Sequence, residues 1–495
     1  MMLFQQAQSF ATRTAIISDG RSYSYQYLLD ESHAFASELL LGSSDLNEAR
    51  VAFMVNPGFD YVKVQWGIWR SGGVAVPLCI THPLPSLQYV LEDTGASILV
   101  VSACYAPLFA NYLSSTSIRL LVVEELKPTD KLPVLPQLTP NRRALILYTS
   151  GTTNLPKGVV TTHQNLQAQI QTLQTAWQWT SHDHILCVLP LHHVHGIVNV
   201  VCCALWAGAT CTFMPSFDAQ QVFDCFQQGS INVFMAVPTI YYKLISFWEQ
   251  ADLSRQQAIT AALKQFRLMV CGSAALPVSV MEKWELISGH RLLERYGMTE
   301  IGMAISNPYN GERRAGYIGA PLPGVEVMLA DDHFQPVPLE TPGQILVRGE
   351  NVFQEYWNRP AETMNSFTAD GWFKTGDVAV IENGYYRIMG RQSVDIIKSG
   401  GYKISALEIE EELRKHPQIA DVAVVGIPDE EWGERIVAAV VYKAQNQPQG
   451  NDFSSWLRER IPAYKVPRLY KIVTELPRNA MGKVVKNDVK KMITS

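Results

Sequence analysis

The sequence predicts an α/β protein built from a large N-terminal body of helix-covered sheets, a small β-rich subdomain that finishes this body, and a small C-terminal α+β domain. Three observations support this. At 495 residues the chain exceeds one ordinary core. Short β-branched runs at 51–55, 97–101, 120–123, 144–147 and 185–188 alternate with stretches of helical spacing such as 166–179 and 220–228. From residue 344 the pattern shortens to strands and turns at 343–347, 378–381 and 385–389.

Each part follows from its own residues. Alternation of strand and helix argues for sheets covered by helices. After Gly390 and Arg391 come an apolar pair at 396–397, helical spacing over 408–415, strands at 422–425 and 436–442, a helix near 454–460 and a last strand at 469–473. About a hundred residues suffice for a small independent domain. The expected division is therefore 1–391 and 392–495, with the boundary near Gln392. No internal repeat or low-complexity segment interrupts the chain.

Composition excludes several classes. With 47% hydrophobic and 18% charged residues the chain is able to bury a large core. A net charge of −5 with interleaved signs lacks the basic footprint of a nucleic-acid binder. The eight cysteines sit in apolar runs with no CxxC pair, and they read as buried thiols of a reducing compartment. The start, MMLFQQAQSFATRTAIISDG, has no basic segment followed by an apolar core, so no secretory signal or organellar presequence is expected. The apolar stretch 197–214 is broken by Asn199, Gly208, Thr210 and Thr212 and falls short of the roughly 20 apolar residues a span needs. A cytoplasmic protein without integral membrane association is expected, as monomer or homodimer.

The strongest chemical signal is Leu147-Tyr-Thr-Ser-Gly-Thr-Thr-Asn-Leu-Pro-Lys-Gly158, which follows the strand at 144–147. Gly151 lets backbone approach an anion, while Thr149, Ser150, Thr152, Thr153 and Lys157 donate to phosphate oxygens. It is not the P-loop of NTPases, because Gly158 follows the lysine where Ser or Thr is needed. A merely polar surface loop is the bland alternative.

This string resembles the phosphate-binding signature of the adenylate-forming superfamily, which includes acyl-CoA synthetases, peptide-synthetase adenylation domains and luciferases. Further motifs follow in that family's order. Pro190-Leu-His-His-Val-His-Gly196 is similar to its acyl-site motif, and Gly272-Ser273-Ala274 to its adenine-contacting strand end. Glu294-Arg295-Tyr296-Gly297-Met298-Thr299-Glu300 is similar to the nucleotide and metal motif, and Thr375-Gly-Asp377 to the ribose motif. Residues 390–404 resemble the hinge, and Pro477-Arg-Asn-Ala-Met-Gly-Lys483 the catalytic-lysine loop.

The resemblance implies ATP, Mg²⁺ and CoA as nucleotide, ion and second substrate. It implies that Glu300 ligates Mg²⁺, Thr299 bonds the α-phosphate and Tyr296 lies against adenine. Asp377 and Arg391 take the ribose, and Ile388 belongs to the nucleotide site. Lys483 reaches the α-phosphate, and the small domain swings to remove it and admit CoA past Lys398, Gly400 and Gly401. These assignments agree with the chemistry, since attack of a carboxylate on an α-phosphate needs positioning and stabilisation of negative charge. Ser393 stands at a hinge position that is Asp or Lys in the family, and it weakens the hinge assignment.

His193 matches the family histidine bordering the acyl pocket; His192 and His195 flank it. Two cations, Lys243 and Arg295, suit a second substrate carboxylate better than an apolar fatty-acid pocket. Residues 267–303 and 390–408 look particularly like the malonyl-CoA synthetase branch, which implies malonate or a methylmalonate-like diacid. A medium- or long-chain fatty acyl-CoA synthetase is the alternative, with Arg295 paired to an acid and Lys243 solvated.

Overall fold

The computed structural model describes residues 3–126, 134–149, 155–443, 453–478 and 484–494. They form two compact units, one of residues 1–326 with 347–371 and one of 327–346 with 372–495. The β-rich residues 372–391 therefore pack with the C-terminal residues.

The first unit holds two sheets. One has nine strands in the order 320–321, 302–306, 293–298, 268–271, 233–236, 184–187, 210–213, 14–18 and 21–24. Its centre, from 293–298 to 14–18, is parallel. The other has seven strands in the order 355–356, 157–162, 143–149, 74–77, 50–54, 98–101 and 119–122, parallel from 143–149 onward. Central strands such as Val74–Pro77, Ile98–Val101 and Val233–Ala236 are buried at every position. That is why they read as continuous apolar runs, since parallel sheets are covered on both faces.

Helices start where the sequence offers caps. The Ser24 side chain accepts from the Tyr27 amide at the head of Tyr25–Leu40, and Thr162 with Asn165 forms a reciprocal capping box on His163–Ala176. The run expected to be too broken for a membrane span divides into a π-helix, His195–Cys202, a short helix, Cys203–Ala207, and the strand Thr210–Phe213. Among the described residues no helix is long and apolar enough to cross a membrane.

The second unit holds a four-stranded sheet in the order 326–330, 343–348, 373–382, 385–391. It also holds a five-stranded sheet in which 402–405, 396–399, 433–442 and 419–429 follow one another and 469–472 pairs with 433–442. Along Ile419–Asp429, Val422 and Val424 enter one apolar cluster while Ala423, Val425 and Ile427 enter another. The period of two thus buries both faces, the first under Ala406–Arg414 and Phe453–Arg458 and the second under Lys486–Thr494. The α/β expectation holds.

Candidate active site

Strands Arg143–Thr149 and Lys157–Thr162 pair antiparallel, with Thr149 opposite Lys157 and Tyr148 opposite Gly158. The hydroxyl-rich string is thus the connection of a hairpin. Ser150, Gly151, Thr152 and Thr153 lie outside the described residues. Gly158 is required by packing, because a Cβ there would lie 2.8 Å from Ile146 Cγ2 and 3.2 Å from the Tyr148 ring. Lys157 forms an ion pair with Glu362, and its ammonium sits 5.1 Å from the Tyr356 ring centroid. The lysine holds the Glu362 carboxyl below the usual carboxylate range.

Strand Leu268–Cys271 runs parallel to Leu293–Met298, with Cys271 opposite Glu294. Gly272, Ser273 and Ala274 therefore leave the carboxyl end of a parallel strand beside Glu294 and Arg295, the usual place for ligands of open α/β sheets. Ser273 has φ +70°, a left-handed conformation rare for serine. The Arg295 guanidinium lies tight over Gly272, where a Cβ would come 2.6 Å from Cζ. Arg295 is 3% exposed. Its Nη2 donates to Ser273 Oγ at 3.3 Å, while Nε is buried with no hydrogen-bond partner among the described residues. Burial pushes this guanidinium down to about 10 despite the nearby Cys271 and Glu294. Glu294 itself accepts from the Leu276 amide at 3.0 Å.

His195 Nδ1 lies 3.1 Å from the same Ser273 hydroxyl, and its Nε2 is buried without a hydrogen-bond partner among the described residues. Burial, and then Arg295, hold this imidazole well below its usual range, so it is neutral. Ser273 is the shared hydroxyl between a neutral imidazole and a buried cation.

Thr299 and Glu300 occupy the turn between Leu293–Met298 and Gly302–Ser306, where Met298 pairs with Gly302 at φ +57°. Tyr296 is buried, and Gly297, Met298 and Thr299 are half-buried. Glu300 is buried, accepts the Tyr356 hydroxyl at 2.9 Å, and has its carbonyl bound by the Phe353 amide at 2.7 Å. Burial and Glu300 push the Tyr356 phenol up, so it donates. Among the described residues no group of three His, Cys, Asp or Glu side chains could hold a metal ion alone. One hard carboxylate at a turn fits Mg²⁺ shared with substrate phosphates.

In the second unit Asp377 and Arg391 face each other across Phe373–Glu382 and Tyr385–Arg391, with Arg391 Nε 3.1 Å from Asp377 Oδ1. The Asp377 amide is fixed by Thr375 Oγ1, whose hydroxyl in turn binds the Ile345 carbonyl at 2.7 Å. Ile388 pairs with Ala379 in the same ladder. Gly400 and Gly401 both have positive φ, and Gly400 packs on Trp432. Lys398 lies 3.5 Å from Asp332. Lys483 is outside the described residues.

Residues 3–357 match the AMP-binding enzyme family, and residues 408–483 match the AMP-binding enzyme C-terminal domain. The chain belongs to the AMP-binding enzyme family. It is 44% identical to the mitochondrial malonate–CoA ligase of Mus musculus, covering 99% of this chain and 90% of that protein. It is 38% identical to the malonate–CoA ligase of Arabidopsis thaliana over 99% and 88% of the two chains. The crystal structure of ATP-bound MatB from Rhodopseudomonas palustris superposes with a TM-score of 0.88 at 30% identity, covering 100% and 99% of the two chains.

Within this AMP-binding enzyme the two expected acyl-site cations differ in their surroundings. Arg295 is buried, but Lys243 is exposed on Pro238–Gln250 and stacks its ammonium 5.7 Å from the Phe217 ring centroid. The reason is helical phase: Tyr241, Leu244 and Ile245 form the buried stripe, and position 243 falls off it. His193 is exposed and packs 4.1 Å, centroid to centroid, from His192. The histidine brought to Arg295 through Ser273 is His195, which sequence reasoning passed over because three histidines in four residues gave no phase. Tyr356 and Glu362 were also missed. Their partners lie 56 and 205 residues away, beyond any local pattern.

Proposed function

We propose that this enzyme is an ATP-dependent ligase joining a short dicarboxylic acid, malonate or a methylmalonate-like diacid, to CoA through an acyl-adenylate. One substrate carboxylate oxygen attacks the α-phosphorus and pyrophosphate leaves. The CoA sulfur then attacks the acyl carbon, and AMP leaves with the bond electrons. Lys157, the hydroxyl loop and Thr299 bind the phosphates, Tyr296 the adenine, and Asp377 with Arg391 the ribose. Glu300 would hold Mg²⁺, which supplies charge neutralisation on the phosphates. Lys483 serves the first step, and a swivel near Gln392 exchanges it for the CoA-binding residues 398–401 in the second.

The observation that carries the choice of acid is Arg295. A fully buried guanidinium whose Nε lacks a partner among the described residues is costly unless an anion completes it. The far carboxylate of a diacid is such an anion and can be gripped by two parallel hydrogen bonds. A fatty acyl tail would leave Nε without a partner and only the nearby Glu294 to offset the charge. Relatives named as malonate–CoA ligases support the same reading. Incubation of purified enzyme with MgATP, CoA and a panel of acids tests it by mass spectrometry. Malonyl-CoA with equimolar AMP is expected, and a panel in which only fatty acids give thioesters contradicts the proposal.

A further inference from the structure

The phosphate-binding lysine and the carboxylate assigned to the metal lie on different elements, the strand Lys157–Thr162 and the turn after Leu293–Met298. One buried side chain touches both. The Tyr356 hydroxyl donates to Glu300 Oε1 at 2.9 Å, and the face of its ring carries the Lys157 ammonium 5.1 Å from the centroid. We propose that Tyr356 is a positioning residue that holds the Glu300 carboxylate in register with Lys157, so that nucleotide phosphates and their divalent cation meet both groups at once. This inference rests on the reading of Glu300 as the metal ligand.

The backbone around Tyr356 fixes its placement. Strand Glu355–Tyr356 adds to Lys157–Thr162 with Tyr356 opposite Val159, two residues beyond the lysine. The Trp357 amide binds the Gly158 carbonyl at 2.8 Å, and the Tyr356 amide binds Thr363 Oγ1 at 2.9 Å. On the other side the Phe353 amide ties the Glu300 carbonyl at 2.7 Å, and the Phe353 ring packs 4.7 Å from Tyr356. The phenol is 7% exposed, so its contacts are not shared with bulk water. A phenol also donates without adding charge. Glu300 thus keeps its full negative charge while its orientation is set, as partners of metal ligands commonly arrange.

The two contacts separate by substitution in the full-length enzyme. Tyr356→Phe keeps the ring beneath Lys157 and removes the hydroxyl, with its bond to Glu300 and its contact with Ser366. Tyr356→Leu removes both. ATP affinity is measured by titration calorimetry with Mg²⁺ and with a chelator. For Tyr356→Phe the gain in affinity due to Mg²⁺ should fall about tenfold or more, with metal-free ATP affinity and the reaction of preformed acyl-adenylate with CoA unchanged. For Tyr356→Leu metal-free ATP affinity should fall as well. Glu300→Gln is the reference. If it keeps the Mg²⁺-dependent gain, the reading of Glu300 itself fails. If Glu300→Gln loses the gain and Tyr356→Phe retains it, the positioning role alone is overturned. A Tyr356→Phe protein that loses metal-free and metal-dependent affinity equally also overturns it, because that is the signature of a structural residue.

Discussion

A guanidinium enclosed by protein states what it is waiting for. Arg295 lies over Gly272, shares Ser273 with His195, and leaves Nε unsatisfied among the described residues. Replacing it by Met removes the charge but keeps most of the volume, so the fold should survive. The KM for malonate should rise about a hundredfold or more, since losing a buried charge-assisted pair costs about 2–5 kcal/mol. The KM for ATP should change little, and steady-state kinetics with each substrate varied in turn checks both. Gly272 admits no side chain: Gly272→Ala places a Cβ against the guanidinium and should lower malonate activation without altering the second unit's unfolding. At this scale the sequence disclosed residue types well and partners poorly. Arg295 could be read as a substrate cation from its motif, but the phase of His195 depends on the wide turns of the π-helix His195–Cys202, and no simple 3.6-residue count recovers it. Lys243 shows the reverse case. Its exclusion from the buried stripe was legible in the spacing of Tyr241, Leu244 and Ile245.

Elements add the constraints that fix these side chains. His163 opens the helix His163–Ala176, lies edge-on to Trp69, and is 7% exposed. Burial, aided by Arg142, pushes it down to about 4 from an ordinary 6.5. The unfolded chain therefore binds more protons between these values. Its contribution is complete above about 6.5 and is lost as pH falls towards 4, by roughly 3 kcal/mol at most. Thermal melts across that range should show falling stability, and His163→Gln should flatten the slope. In the second unit Lys486, at the start of Lys486–Thr494, lies 2.7 Å from Asp395 and 2.8 Å from Glu410. Lys486→Met removes the cation shared by two largely buried carboxylates, leaving Glu410 with Arg414 at 3.2 Å and Asp395 with the Arg391 amide at 2.9 Å, and denaturant unfolding should show a loss of about 3 kcal/mol. The strands expected at 51–55, 97–101, 120–123, 144–147 and 185–188 were legible because β-branched runs bounded by turn residues have one physical meaning in an α/β chain, while 74–77 and 233–236 went unread. The ends were less so: the expected strand at 378–381 extends over Phe373–Glu382, since Asp377 continues the ladder to Arg391.

For the whole molecule, the alternation of strands and helices was enough to give the class, and the sheet order was not, because long-range pairing such as 14–18 beside 210–213 leaves no local trace. The adenylation chemistry was legible through motifs spread over both units, each weak alone and jointly specific. The proposed chemistry activates malonate as an adenylate before CoA takes part. Exchange of labelled pyrophosphate into ATP, measured without CoA and with malonate or butyrate as the acid, tests it most directly. Malonate should support exchange at least about a hundredfold better than butyrate, because butyrate leaves the buried Arg295 unpaired. Lys483→Ala should lose the exchange. Equal exchange with both acids, or none with malonate until CoA is added, would contradict it.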